Sequence, residues 1–189
     1  MCIRDSYGDA AIVADRESGE VLLLSASGQV GFHGSTRNTP IAVSRWYSHD
    51  NGTTWTQPED ITESIYSLFD GADKSPSGKV EGLFFGSGRI VQSHRVKEGS
   101  HYRVYGVILG RTTSPSTTHA NWVLYSDDFG KTWNVLGKGT IPAVPSGADE
   151  PKAEELPDGS VLVSSRVGGG RYYNIYRYTN TATGEGQWG

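Results

Sequence analysis

Two eight-residue segments of this chain are near copies of one another, and they constrain the fold more than any other feature. Ser48-His49-Asp50-Asn51-Gly52-Thr53-Thr54-Trp55 and Ser126-Asp127-Asp128-Phe129-Gly130-Lys131-Thr132-Trp133 share the pattern Ser-x-Asp-x-Gly-x-Thr-Trp. Each residue type has a turn-making task. The Asp carboxylate accepts N–H bonds from the loop, the Gly takes a positive φ at little cost, and the Trp packs between sheets. On this reading Asp50 and Asp128 hold backbone and do no chemistry, because a turn carboxylate satisfied by local donors is a structural group. Each copy follows an apolar strand pattern, at 41–47 and at 122–125, so the repeated unit is larger than the turn.

That larger unit recurs along the chain. Its first instance predicts strands at 10–15, 21–25, 41–48 and 54–56, joined by a turn at 16–19, a loop at 28–40 and the first Asp turn. The second predicts strands at 89–94, 102–109, 122–126 and 133–136, with a turn at 97–100, a loop at 111–119 and the second Asp turn. The third opens the same way, with strands at 152–156, 161–166 and 172–178 around Pro157-Asp158-Gly159 and Gly168-Gly169-Gly170, and then degenerates between Thr179 and Trp188. Four antiparallel strands at regular spacing predict an all-β chain of propeller blades, small sheets set radially so that few edges are exposed. Propellers close with about 4–8 blades, so about three blades predict a partial propeller whose parent chain continues at both ends. A β-sandwich built from the same meanders is the alternative. One segment breaks the pattern: Ile61, Ile65, Leu68 and Phe69 share a helical face, and Asp60 with Glu63 resembles a capping box, which predicts a linker helix packed on the blades.

Composition narrows the function classes. The 189 residues hold 17 Lys and Arg against 21 Asp and Glu, with both signs interspersed, so the cationic stripe that a phosphate backbone requires is missing and nucleic acid is not an expected partner. The five His residues show no metal-ligand spacing; neither a metal nor a cofactor is expected, and His94 and His119 read as structural or solvated. A lone Cys2 forms no internal disulfide. No stretch approaches the roughly 20 apolar residues of a membrane-spanning helix, and the first residues lack the apolar run of a signal peptide. The length suits one domain, residues 1–189.

The hairpin centred on Pro157-Asp158-Gly159 carries the candidate chemistry. Pairing symmetric about Asp158 sets Glu150 directly across from Arg166, whereas a two-residue turn would shift the register by one and put them on opposite faces. In a four-stranded meander the first and third turns share one face. The Asp turns are third turns, so they point away from Glu150 and Arg166, and the opposite face gathers that pair with the loops 28–40, 111–119 and 168–170. From charge alone the simpler reading is a strand-end ion pair, worth about 0–1 kcal/mol where exposed. Glu154 and Glu155 are alternative acids nearer the turn, and Arg171 in the Gly-rich loop is an alternative cation. Tyr172 and Tyr173 fall on a third strand, where packing is the expected role.

Both Asp turns resemble the Asp boxes of the sialidase (neuraminidase) superfamily, and the run from Thr179 to Trp188 resembles a degenerate third copy. Asp boxes also occur in propellers of other function, so they speak to architecture alone. The 150–166 hairpin is more specific. It resembles that of bacterial exo-α-sialidases of the Bacteroides type, in which a Glu precedes, by about this separation, an Arg that closes the next strand. The resemblance extends from about Gly8 to Trp188 and takes in Gly86-Ser87-Gly88-Arg89-Ile90-Val91-Gln92-Ser93. It implies a six-bladed sialidase β-propeller, of which about three blades lie in this chain as part of a catalytic domain. Glu150 falls on the family's catalytic Glu and Arg166 on the second member of its arginine triad, while Gln92, beside the loop, is a weaker candidate for a substrate contact.

The reaction so implied is hydrolysis of terminal α-linked sialic acids with retention. Sialic acid carries a carboxylate on its anomeric carbon, which repels an anionic nucleophile, and sialidases use a Tyr instead. Glu150 would take the phenolic proton and Arg166 would bind the substrate carboxylate. The family's first triad Arg and its acid/base Asp fall before Gly8, and its third Arg and nucleophilic Tyr beyond Gly189, so the isolated chain is expected to be inactive. The implied partners are sialylated glycoproteins, glycolipids or oligosaccharides, and the implied location is periplasmic or secreted. The rival reading is a non-catalytic propeller that binds glycans or proteins.

Overall fold

The protein was analysed as a computed structural model that describes residues 6–71, 80–86, 88–112, 118–138, 142–144 and 147–189. Three antiparallel sheets follow one another along the chain. The first contains β1 (Tyr7–Ala14), β2 (Val21–Ser27), β3 (Ala42–Ser48) and β4 (Glu59–Asp60) as neighbours in chain order. A short helix, α1 (Thr62–Tyr66), and a 3-10 turn, Ser67–Phe69, lead onward. The second sheet contains β5 (Val80–Phe85), β7 (Val91–Glu98), β8 (His101–Thr112), β9 (Thr118–Ser126) and β10 (Asn134–Val135), while β6 (Gly88–Arg89) runs parallel along β1 as the fifth strand of the first sheet. The third is the meander β11 (Asp149–Glu155), β12 (Val161–Val167), β13 (Gly170–Asn180) and β14 (Glu185–Trp188). The architecture is the expected one, all-β and a partial propeller.

Several boundaries differ from the sequence reading, each for a local reason. The strand expected at 54–56 is reduced to one backbone bond, Thr56 N to Tyr47 O at 2.8 Å. Pro58 next offers no N–H, and regular pairing resumes only at β4. The strand expected at 89–94 starts at Val91 and runs to Glu98. β5 had no counterpart in the sequence reading. It exists because β8 has 12 residues, enough to pair β7 near its start and β5 along its second half. The degenerate run at the end of the third unit still supplies a fourth strand, with Trp188 packed on Tyr176 at 5.1 Å between ring centroids.

The middle sheet is buried on both faces. Side chains alternate along a strand, so Val104 and Ile108 of β8 enter a core shared with the first sheet, while Tyr105 and Val107 enter a core shared with the third. Ile65, Tyr66 and Phe69 of the helical segment belong to the first core. The expected capping box is not formed. Asp60 Oδ1 accepts from Thr62 N and Thr62 Oγ1, and Glu63 instead reaches Arg37 at 2.6 Å.

The two Asp turns are superimposable in their bonding. Asp50 Oδ1 accepts from Ser48 Oγ at 2.9 Å and Thr54 N at 2.7 Å, and Oδ2 accepts from Thr54 Oγ1 at 2.7 Å. Asp128 Oδ1 accepts from Ser126 Oγ at 2.7 Å and Thr132 N at 2.8 Å, and Oδ2 from Thr132 Oγ1 at 2.7 Å. These bonds, led by that from Thr54 N, hold the Asp50 carboxyl down at about 2. Partial burial pushes Asp128 up, but the bonds from Thr132 and Ser126 outweigh it and the net shift is downward. Left-handed backbone is needed at two successive positions, Asn51-Gly52 and Phe129-Gly130. The tryptophans part company: Trp133 is buried against Phe85, whereas Trp55 is 39% exposed and does not pack between sheets.

Cross-sheet bonds order the rims. The second Asp turn is gripped from the first sheet, Arg45 Nη1 donating to Gly130 O and Lys131 O and Tyr47 Oη donating to Phe129 O. At the opposite rim, Arg111 binds Phe32 O and Ser35, Gly147 N donates to His119 O, and Asn121 Nδ2 donates to Ser165 Oγ at 2.7 Å. The loop 28–40, the end of β9 nearest His119, the start of β11 and the β12–β13 connection therefore share one face, away from the Asp turns.

Candidate active site

β11 and β12 form the hairpin whose open end carries the acids and the arginine. Near its turn the pairs are Glu155↔Val161, Glu154↔Leu162, Ala153↔Val163 and Lys152↔Ser164, symmetric about Asp158. Continued unbroken, that register would set Glu150 across from Arg166. Pro151 prevents it. With no N–H to give, it interrupts the ladder; the register slips between Asp149 and Lys152, and Asp149 becomes the residue opposite Arg166. Glu150 takes up the extra residue with φ at 38°, a left-handed conformation uncommon for a residue bearing a Cβ.

The bulge has a chemical consequence. Neighbouring side chains in a regular strand point to opposite faces, but here two consecutive carboxylates reach one guanidinium. Arg166 Nε lies 2.9 Å from Glu150 Oε2, and Arg166 Nη2 donates to Asp149 Oδ2 at 2.9 Å. Asp149 Oδ1 accepts the backbone N–H of Glu150 at 2.9 Å. The Arg166 side chain is 54% exposed and that of Glu150 63%, against 34% for Asp149. Asp149, Arg166, Gly147, Val167 and the Gly168-Gly169-Gly170 run line an open cleft of about 560 Å³. Beyond it, Phe32 of the loop 28–40 meets His119 and Phe84 edge-on, at 5.2 Å in both cases. Burial lowers the His119 pKa, and the nearby Asp149 charge acts against that.

Glu150 and Arg166 are thus brought together, through a different register from the one expected. Gln92 is not brought to them. It is buried beside β1, its Nε2 donating to Asp15 Oδ1 at 2.5 Å and its Oε1 accepting from Arg16 N at 3.1 Å. Its neighbour Ser93 bonds Glu155, at the turn end of the hairpin, far along β11 from Glu150. Gln92 lines a separate cleft with Arg16, Arg89 and His94, so a contact with a ligand at Arg166 does not fit its position.

The alternatives are committed elsewhere. Glu154 pairs with Arg89, and Glu155 accepts from Ser93 Oγ and His94 N. Arg171 turns back on its own hairpin, with Nε donating to Ser164 Oγ at 2.7 Å. Tyr172 and Tyr173 do not pack as expected; they are 45% and 61% exposed on β13. Of the loop expected at 111–119, residues 113–117 lie outside those described. Among the described residues no group of three or more His, Cys, Asp or Glu could hold a metal ion. Asp149 was missed by sequence reasoning, yet Asp149-Glu150-Pro151 contained the signal, since a Pro in a paired strand predicts a bulge at that point.

No family model matches the chain. A sialidase of Micromonospora viridifaciens is 31% identical over 169 residues, which cover 85% of this chain and 23% of that protein. The chain spans between 23% and 39% of the length of three curated sialidases that it matches. Among solved structures, the Hadza microbial sialidase Hz136 superposes with a TM-score of 0.71 at 21% identity, over 98% of this chain and 33% of that one. A Trypanosoma rangeli sialidase in complex with 2,3-difluorosialic acid, described as a covalent intermediate, gives a TM-score of 0.63 at 16% identity, over 97% of this chain and 28% of that one.

Proposed function

The chain is sialidase-like over most of its length, and from that premise we propose that it carries the general base and one carboxylate-binding arginine of a site that hydrolyses terminal α-linked sialic acids with retention. The observation that supports this reading is the half-exposed Arg166 guanidinium beside Glu150 at the mouth of the β11–β12 hairpin. A planar guanidinium is suited to two-point binding of a substrate carboxylate. Among the described residues its Nη1 has no hydrogen-bond partner, which leaves an edge for a ligand. Glu150, on the Nε side of the same guanidinium, would accept the proton of a tyrosine nucleophile, and a covalent glycosyl-tyrosine would follow. The covalent intermediate named for the Trypanosoma rangeli relative is in keeping with such a step.

The remaining groups, two arginines, an acid/base Asp and the Tyr, are assigned to no residue among those described at this rim. The isolated chain is accordingly proposed to be inactive, and the activity to belong to a longer protein. Sialylated glycoproteins, glycolipids or oligosaccharides would be its substrates, met in the periplasm or outside the cell.

The test is turnover of a fluorogenic α-sialoside by the full-length protein and by residues 1–189 alone. Only the former should release the fluorophore. Glu150→Gln and Arg166→Ala should each lower kcat/KM by about 100-fold or more, about 2.7 kcal/mol of transition-state stabilisation. Wild-type turnover in either variant refutes the site. A full-length protein that binds sialylated glycans without cleaving them belongs to the binding-propeller reading instead.

A further inference from the structure

Among the described residues, Asp149 is the one whose side chain hydrogen-bonds both members of the proposed pair. Oδ2 accepts from Arg166 Nη2 and Oδ1 accepts from the backbone N–H of Glu150, each at 2.9 Å. Both of its oxygens are engaged, and it is the most buried of the three. It is therefore poorly placed to exchange a proton with a ligand and well placed to hold what does.

We propose that Asp149 is the positioning residue of this site, fixing the Arg166 guanidinium for an incoming carboxylate and the Glu150 backbone in its left-handed turn. The proposal rests on the reading of Arg166 as a carboxylate-binding residue. Its physical basis is the division of Arg166's contacts. Glu150 holds Nε through one oxygen, but a general base that takes up a proton loses the charge that strengthens that contact, and the guanidinium on its flexible stem would then be held less firmly. Asp149 keeps hold of Nη2 through that step. Asp149 also answers a problem that the bulge creates. A non-Gly residue at φ of 38° persists only where its surroundings over-determine it, and the Oδ1 bond to Glu150 N–H is such a constraint.

The two arms of Asp149 can be separated. Asp149→Asn can keep its one carbonyl oxygen on Glu150 N–H, which leaves an NH2 group facing Arg166 Nη2 in place of the acceptor, so the turn survives and the guanidinium is released. The probes are 2,3-didehydro-2-deoxy-N-acetylneuraminic acid and its methyl ester, bound to the full-length protein and followed by calorimetry. Wild type should prefer the acid. Asp149→Asn should weaken the acid by about 10-fold, the scale of one charge-assisted contact, and leave the ester unchanged at an unaltered melting temperature. Asp149→Ala, which removes both arms, should weaken both probes.

Equal loss of acid and ester in Asp149→Asn would mean a general structural role and overturn the proposal. So would wild-type affinity for the acid. A wild type that does not distinguish acid from ester fails at the earlier step: Arg166 is then not the carboxylate site, and the proposal falls with that reading.

Discussion

Replacing Asp128 by Ala should destabilise the protein much more than replacing Asp50 by Ala, although the two carboxylates make the same three hydrogen bonds. In the second turn the donors Thr132 N and Thr132 Oγ1 are exposed and can turn to water once the carboxylate is gone. Ser126 is fully buried and cannot, so its hydroxyl keeps the bond to Gly130 N but loses its own acceptor, at about 1–3 kcal/mol. Asp50→Ala shares that cost, because Ser48 is as fully buried and bonded alike, so the difference between the two variants comes from packing. The second turn, whose carbonyls at Phe129, Gly130 and Lys131 are held by Tyr47 and Arg45, then loosens around Phe129 and Trp133, which are buried in the first core. Together these give about 3 kcal/mol for Asp128→Ala, and a melting temperature lower by about 6–12 °C at 2–4 °C per kcal/mol. Asn51 and Trp55 are exposed, so the first turn has little packing to lose and Asp50→Ala should shift the melt distinctly less. Circular dichroism melts at pH 7 decide the matter. Equal shifts, or a larger one for Asp50→Ala, would show that the hydrogen bonds dominate and burial of the turn does not.

Two further outcomes test the structure. A Cβ at Gly86 would lie 2.8 Å from Pro151 O and 3.3 Å from Val107 O, both backbone atoms. Gly86→Ala should therefore displace the bulge, cost about 1–3 kcal/mol in urea denaturation and weaken sialic acid analogue binding; unchanged values for both would show that the bulge is not seated there. Acid should unfold the protein through its turn carboxylates. Asp15, Asp50, Asp128 and Asp158 all titrate below their ordinary values when folded, so their stabilisation is complete above about pH 4, the unfolded value, and fades as pH falls toward the folded values. The melting temperature should hold from pH 7 to 5 and drop between 4 and 2, less steeply in Asp128→Asn, and a drop that begins above pH 5 would implicate other groups.

The blades were legible because their signals are local. Ser, Asp, Gly and Thr at fixed offsets can satisfy one another without knowledge of the rest of the chain, and Asp50 and Asp128 do so. The opposition of the two rims followed from meander connectivity alone. What escaped the sequence was set by partners distant in the chain. β5 is a strand only because β8 is long enough to receive it, and Glu63 leaves its helix terminus because Arg37 competes for it. Gln92 was assigned by its nearness to a loop, yet buried Asp15, 77 residues away, claims its amide. Tyr172 and Tyr173 show the converse, strand residues that stay about half exposed where packing was expected. Register was the most consequential case. Symmetry about Asp158 predicted the pairs nearest the turn correctly and failed at Pro151, where the chemistry of one missing N–H moves the partner of Arg166 from Glu150 to Asp149.

That failure marks the place where fold and proposed chemistry make opposite demands. Two carboxylates on one guanidinium cannot come from consecutive residues of a regular strand, because the pleat separates them. A bulge supplies the geometry at the expense of a broken ladder and a left-handed Glu150. The surroundings offset this in specific ways: Asp149 bonds the Glu150 N–H, Gly86 lets β5 approach Pro151 without a side chain between them, and Asn121 ties β9 to Ser165 beneath Arg166. At the opposite rim the second turn is clamped from the neighbouring sheet by Arg45 and Tyr47. Rigidity and the proposed reactivity are thus divided between the two ends of the same strands, which is why substitutions in the Asp turns are expected to be read in stability and those at 149, 150 and 166 in binding.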